Sequence, residues 1–186
     1  MSKNAVKNLC IIGSVILLIA ACGVVFSYMF HMTDDKVNQF TPAVVDCEVQ
    51  EKTDLPMTEK NGIKVKNTGN IDAYLRLRFV SYWVRVNEAG DSEIASKPSE
   101  LPEFTVAEDW LAGKDNTYYF KYPVSPGQLT GELLAAGAVI PLKEEDGYQQ
   151  VIEVFAEAIQ SNPVLSVEES WRVELDTDGN IVSVPT

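Results

Sequence analysis

One histidine, His31, is all the imidazole that these 186 residues offer, and it directly follows a hydrophobic run. That scarcity argues against zinc hydrolysis, since no HExxH helix presents two imidazoles and a general base, and against a Ser-His-Asp triad. Cysteine is nearly as scarce. Cys10 and Cys22 lie inside the hydrophobic run, so Cys47 stands alone in the remainder and no disulfide can form there. A packed core must then supply the stability, and Cys47 reads as a small apolar strand residue. Basic residues are also few, 15 against 27 acidic ones for a net charge of -12. Residues 1–27 hold two lysines and no acid, which leaves 13 basic and 27 acidic residues in the other 159 positions. Such a surface has no basic stripe to neutralise phosphates, which argues against nucleic acid and disfavours anionic membrane surfaces as partners. Phosphate-cradling glycine loops and dinucleotide fingerprints are missing, and no tract is of low complexity.

What is present begins with an export signal. Lys3 and Lys7 precede an uncharged run from Asn8 to Phe30, and the first acids are Asp34 and Asp35. The positive flank should stay in the cytoplasm while the rest crosses. A run of about 20 apolar residues also suffices to span a bilayer. Three outcomes stand open: a signal peptide cut between Ser27 and Tyr28, a retained anchor, or lipidation of Cys22 after Ile19-Ala20-Ala21. The chain divides into residues 1–27 as signal peptide or membrane anchor, 28–46 as an N-terminal segment and 47–186 as the folded domain.

Beyond Phe30 the apolar residues alternate at period two, which indicates an all-β domain. Phe40–Val49 is a first strand candidate with Val45, Cys47 and Val49 on one face, and Ile63–Lys66 is a second, ended by the turn Asn67-Thr68-Gly69-Asn70. Ala73–Val86 is the clearest strand. Its core face reads Ala73, Leu75, Leu77, Phe79, Ser81, Trp83 and its other face carries Tyr74, Arg76, Arg78 and Val80. A polar stretch from Asn87 to Glu103 follows, then Thr117–Tyr122, then an irregular Gln128–Leu142. Tyr148–Gln160 is apolar on both faces, which predicts a central strand. One short helix is expected near the C-terminus, capped by Ser161-Asn162 with Pro163 in its first turn, Val164, Val167 and Trp171 on its apolar side, ending near Trp171. Arg172–Leu175 and Ile181–Val184 flank Asp176-Thr177-Asp178-Gly179-Asn180 as a terminal hairpin. Seven or so strands at this spacing predict two packed antiparallel sheets, a β-sandwich.

Candidate sites are weak by the same arithmetic. In a calcium loop with Gly179 sixth, Glu174 would be first and Pro185 twelfth, so the bidentate carboxylate is missing and a plain Asp-Gly turn is the better reading. Glu144-Glu145 and Glu168-Glu169 read as solvated acids. If the two long strands are neighbours, Arg76 and Arg78 can pair with Glu153 and Glu157 across the sheet. No catalytic residue, metal ligand or cofactor is assigned.

Two motifs carry a resemblance. Phe26-Ser27-Tyr28 followed by Thr33-Asp34-Asp35-Lys36 and Asn38-Gln39-Phe40-Thr41 resembles the signal-peptide end and mature start of Gram-positive proteins processed by SipW-type signal peptidases, with their NxFT motif. Asn67–Arg76, Ala156–Gln160 and Glu168-Glu169-Ser170-Trp171 are similar to the same TasA/camelysin-like group, especially its BsaA-type biofilm matrix branch. Ser27 in place of the usual alanine and the extra Met29-Phe30-His31-Met32 depart from the pattern. The resemblance implies a jelly-roll-like sandwich, exported and polymerised into matrix fibres at the cell surface by donating its N-terminal segment as a strand, with Phe40, Val44 and Val45 as inserting side chains. It further implies self-association, a minor matrix protein as partner, and membrane contact only before cleavage. A monomeric adhesin or fibre-anchoring accessory protein, and a camelysin-like metallopeptidase, are the alternatives.

Overall fold

A computed structural model describes residues 7, 13–25, 41–52, 58–87 and 90–186. The chain forms two compact units, Met1–Thr41 and Pro42–Thr186. In the first, residues 13–25 form helix α1, in which Val15, Leu17, Ile19 and Val24 are all well exposed. Among the described residues no helix is long and apolar enough to cross a membrane.

The second unit is mostly β and antiparallel. Its strands are β1 (Cys47–Lys52), β2 (Glu59–Asn67), β3 (Ala73–Val86), β4 (Ser92–Ile94), β5 (Trp110–Ala112), β6 (Thr117–Phe120), β7 (Ile140–Pro141), β8 (Glu144–Glu145), β9 (Tyr148–Gln160), β10 (Glu174–Leu175) and β11 (Ile181–Ser183), with helix α2 at Leu165–Trp171. One sheet has the order β1-β2-β7 and another the order β5-β6-β3-β9-β8, with β4 added to β3. β10 and β11 form a separate hairpin.

The period-two reading of β3 holds along most of the strand, with Ser81 only half-buried on the core face and Tyr74 buried on the other. Ala73, Leu75, Leu77, Phe79 and Trp83 are buried, while Arg78 and Val80 on the other face are exposed. On β9, Ile152, Val154, Ala156 and Ala158 join the same core, together with Ile63 and Val65 of β2 and Cys47 and Val49 of β1. Residues of both larger sheets therefore share one apolar interior. Burying a Leu or Ile side chain there stabilises by about 1.5–3 kcal/mol each. A second cluster lies on the far face of the sheet, where Tyr74 and Tyr119 meet Val167, Trp171, Val173 and Ile181. α2 and the terminal hairpin cover that end.

Arg76 ties this cluster to the sheet. It stands opposite Glu157 in the register, donates to its Oε2 through Nη2 at 2.5 Å, and lies 4.6 Å from the centre of the Trp171 ring. Arg78 stands opposite Phe155 and makes no ion pair in the described residues, so only one of the two expected arginines pairs.

Four other expectations are corrected. The first strand begins at Cys47, which leaves Val45 outside it and 37% exposed, because residues 42–46 bond to the turn after β2. α2 begins at Leu165, with Val164 in the cap position and no side-chain cap bond, so Ser161-Asn162 do not cap it. Val164 is exposed, and only Val167 and Trp171 of the expected apolar side are buried. β9 is central only at its start, since β8 pairs with Gln149 and Tyr148 alone. Its second apolar face is explained instead by α2, which packs near Ile159, and by Phe155, which is left bare at 49% exposure.

Candidate functional site

The hydrogen-bond direction along β9 follows from register. Ala73 exchanges both backbone bonds with Val124, and the Phe79 N–H donates to the Asn116 carbonyl. The odd residues of β3 thus face β6, and the even ones bond their β9 partners, Tyr74 with Ile159 through Val84 with Gln149. The even residues of β9 must then direct N–H and C=O away from β3. Gln150 conforms, its N–H reaching the Lys143 carbonyl at 2.8 Å. Past it, Ile152, Val154, Ala156 and Ala158 meet no partner strand among the described residues. The result is a long, regular and open strand edge, running without a bulge through the whole β3 pairing.

A second open edge faces it. β2 uses Lys64 and Lys66 to bond β1, as the Thr68 N–H to the Asp46 carbonyl shows for the same series, while its odd residues bond the chain at 128–133. Cys47 and Val49 on β1 therefore point their backbone groups away from β2, and β1 lies beside β9 without pairing to it, although the Cys47 N–H is taken by Asp46 Oδ1 at 2.9 Å. Two edges without a partner strand among the described residues, backed by the shared core, are what an added strand needs: main-chain bonds for affinity and alternate side chains for specificity.

The chain that precedes the domain arrives at the end of this seam. Asn67 is fully buried and organises the turn after β2, its Nδ2 donating to the carbonyls of Ile71 and Val124 at 2.8 and 2.7 Å. Asn70 then holds the incoming segment: its Oδ1 accepts from the Val44 N–H at 2.7 Å, its own N–H donates to the Val44 carbonyl, and its Nδ2 donates to the Pro42 carbonyl. Gly69 permits that approach, since a Cβ there would sit 2.3 Å from the Val44 carbonyl oxygen. Ser161 bonds back to Asp72, so this latch and the Gln160 end of β9 are neighbours.

Of the residues singled out from sequence, Val44 and Val45 are placed here, 48% and 37% exposed on a segment bound to its own domain. Phe40, Ser27, Tyr28 and His31 lie outside the described residues. Cys22 is exposed on α1 and Cys47 is half-buried; burial above all, then Asp46 and Glu157, pushes the Cys47 thiol up to about 11. A thiol so protonated is a poor nucleophile at neutral pH. Asp176 takes the backbone N–H groups of Asp178 and Asn180, which holds its carboxyl below the usual range, and the loop closes as a simple turn. Among the described residues no three His, Cys, Asp or Glu side chains are grouped to hold a metal. Glu51, Glu93, Glu132, Glu145 and Glu157 are each engaged by a lysine or arginine. The open edge is the feature that sequence reasoning missed, because strand neighbours separated by some 70 residues leave no mark in local periodicity.

No family model, curated protein or solved structure matches the chain.

Proposed function

We propose that this chain is a non-enzymatic structural protein, exported to the surface of a Gram-positive cell and polymerised into extracellular matrix fibres. The observation that carries the reading is the pair of open edges on β9 and β1, with residues 42–44 latched to Asn70 at the end of the seam. Each subunit accepts the N-terminal segment of its neighbour as an extra strand between those edges. In this reading the two larger sheets form a jelly-roll-like β-sandwich that lacks one strand, and the donor completes it. The likeness of Asn38-Gln39-Phe40-Thr41 and of the later blocks to TasA/camelysin-like proteins supports the same conclusion, with a SipW-type peptidase acting during export and a minor matrix protein as a second partner.

The latch at Asn70 favours a donor that starts before residue 42. Residues 42–46 are bonded to their own domain, so the donated strand comes from residues 28–41, with Phe40 as an inserting side chain and Val44 and Val45 as the tether. Electron microscopy of the secreted protein beside a version lacking residues 28–41 tests this. Filaments from the first and soluble monomers from the second are expected; filaments from both, or from neither across a range of pH and concentration, would sink the reading.

A further inference from the structure

The outer face of the six-stranded sheet is covered at one end only. Near Ala73 it lies beneath α2 and the terminal hairpin, whereas toward β4 nothing among the described residues lies over it. Val80 is 41% exposed, Phe155 49% and Ile94 66%, all on that bare face, with Val84 and Val151 half-buried beside them. An apolar sheet face of this kind marks an interaction site.

Its charges say what it fits. Arg78 stands opposite Phe155 and Val80 opposite Glu153, so these four occupy the corners of a rectangle, apolar on one diagonal and charged on the other. Strands lie about 4.8 Å apart and alternate residues about 6.7 Å, so an axis in the plane of the sheet along the Val80–Phe155 diagonal comes close to exchanging Arg78 with Glu153. Two copies related by that axis place each Arg78 over the other's Glu153 and stack Val80 on Val80 and Phe155 on Phe155. Among the described residues neither charge is paired with an opposite charge: Arg78 makes no ion pair there, and Glu153 accepts the Tyr82 hydroxyl at 2.6 Å. The patch is neutral on a chain of net charge -12, so two copies can meet here without the repulsion that the rest of the surface imposes.

We infer that the face formed by Arg78, Val80, Glu153 and Phe155 is a self-complementary docking surface for a second copy of this chain, two-fold symmetric and with strands crossing steeply. It uses side chains standing on the sheet, whereas an added strand lies in the sheet's plane, so the contact is separate from the β9 edge and would join neighbouring fibres side by side. A contact built on these few side chains is weak between single molecules and gains strength when many copies are aligned, since a stable complex buries roughly 800 Å² per partner.

Cross-linking of the full chain in mild detergent tests this, with Cys10, Cys22 and Cys47 replaced by serine. Facing sheets stand about 10 Å apart, beyond the reach of a disulfide, so Val80→Cys is bridged with a short bifunctional maleimide. A covalent dimer is expected from Val80→Cys, and at least about tenfold less from Val182→Cys on exposed β11, since any two chains sharing a micelle would cross-link equally from either site. Adding Arg78→Glu should lower the Val80→Cys yield about tenfold or more, because like charges then face each other, and combining it with Glu153→Arg should restore it. Restoration also shows that the variants fold. Equal yield from Val182→Cys, no dimer from Val80→Cys, indifference to Arg78→Glu, or failure of the double swap to recover would each overturn the inference. Filaments counted on the same variants keep the two readings apart, since Arg78→Glu should leave single filaments intact and abolish only their bundling.

Discussion

Proline placed at two adjacent positions of β9 should act on different things. The Ala156 N–H is directed away from β3 and has no partner among the described residues, whereas the Phe155 N–H is directed to the Arg78 carbonyl. Ala156→Pro therefore removes no internal bond, and edge strands tolerate proline on the solvent side, so its cost should stay within about 1 kcal/mol. Phe155→Pro loses a ladder bond of about 1 kcal/mol net and leaves the Arg78 carbonyl unsatisfied for about 1–3 more, or roughly 2–4 kcal/mol in all. The Phe155 side chain is half exposed, so Phe155→Ala corrects for its small packing loss. Urea unfolding followed by tryptophan fluorescence measures both. Assembly should rank them the other way: Ala156→Pro blocks the edge with a ring where a donor N–H is needed, and filaments should disappear from a domain that is still folded. Equal destabilisation by the two substitutions would refute the assigned direction of the backbone groups. Normal filaments from Ala156→Pro would refute the use of this edge.

Cys47, in a chain with Cys10→Ser and Cys22→Ser, should react with iodoacetamide at pH 8 about 100-fold more slowly folded than in urea, as a rise of its thiol from 9.0 to about 11 requires; equal rates would contradict its burial. Because the folded state holds that proton more tightly, and burial raises Tyr118 likewise, stability present below pH 9 should decline as pH climbs from 9 toward 11, which denaturant titrations at several pH values would detect. Gly69→Ala forces a Cβ against the Val44 carbonyl, so the latch should open at a cost of about 1–3 kcal/mol and the Asn70 amide should lose protection from hydrogen exchange. Arg76→Ala removes both an ion pair that is 21% and 41% exposed and a cation–π contact, and should cost about 1–2 kcal/mol, with Glu157→Gln costing less than about 1.

The parts of the fold that could be read in advance are those set by neighbours in the chain. Ala73–Val86 and Tyr148–Gln160 were bounded by their alternation alone, and Asp176–Asn180 by its turn chemistry, because in each case the signal and the structure span the same few residues. The pairing of Arg76 with Glu157 was reachable from charge placement once the two long strands were taken as neighbours. β5, β7 and β8 were not legible: two or three residues are too short to show a period, and they become strands only because β6, β2 and β9 offer them backbone groups. The helix cap failed because the Ser161 N–H is held by the Asp72 carbonyl and the helix starts only at Leu165, with Val164 in the cap position and the Ser166 N–H bonded to the Pro163 carbonyl. The edge of β9 escaped for a deeper reason. An apolar residue on each face looks the same whether the strand has one neighbour or two, since alternation reports what covers the faces and is silent about the sides.

That silence gives the open edge its weight. Soluble β proteins guard exposed edges with proline, a bulge, an inward charge or a short strand, since a bare row of N–H and C=O groups recruits other chains. β9 is 13 residues long and its outward series Ile152, Val154, Ala156, Ala158 contains neither a proline nor a charge. Protection is present elsewhere in the same domain: β4 is three residues long and carries Glu93, and the edge-side strand β7 ends in Pro141. On the seam, β1 is regular from Cys47 to Gln50 and shifts register only between Gln50 and Lys52, whereas β9 is regular through its whole pairing with β3. The defence against indiscriminate pairing there must come from the surroundings, and the excess of acidic residues supplies it by keeping like chains apart in dilute solution. A donor strand overcomes that repulsion only if it carries little charge into the seam. In Asn38-Gln39-Phe40-Thr41, within the segment proposed as donor, the only polar groups are neutral, and the charged residues Asp34, Asp35 and Lys36 precede them in the sequence, so the uncharged part of the proposed donor is the part nearest in sequence to the latch.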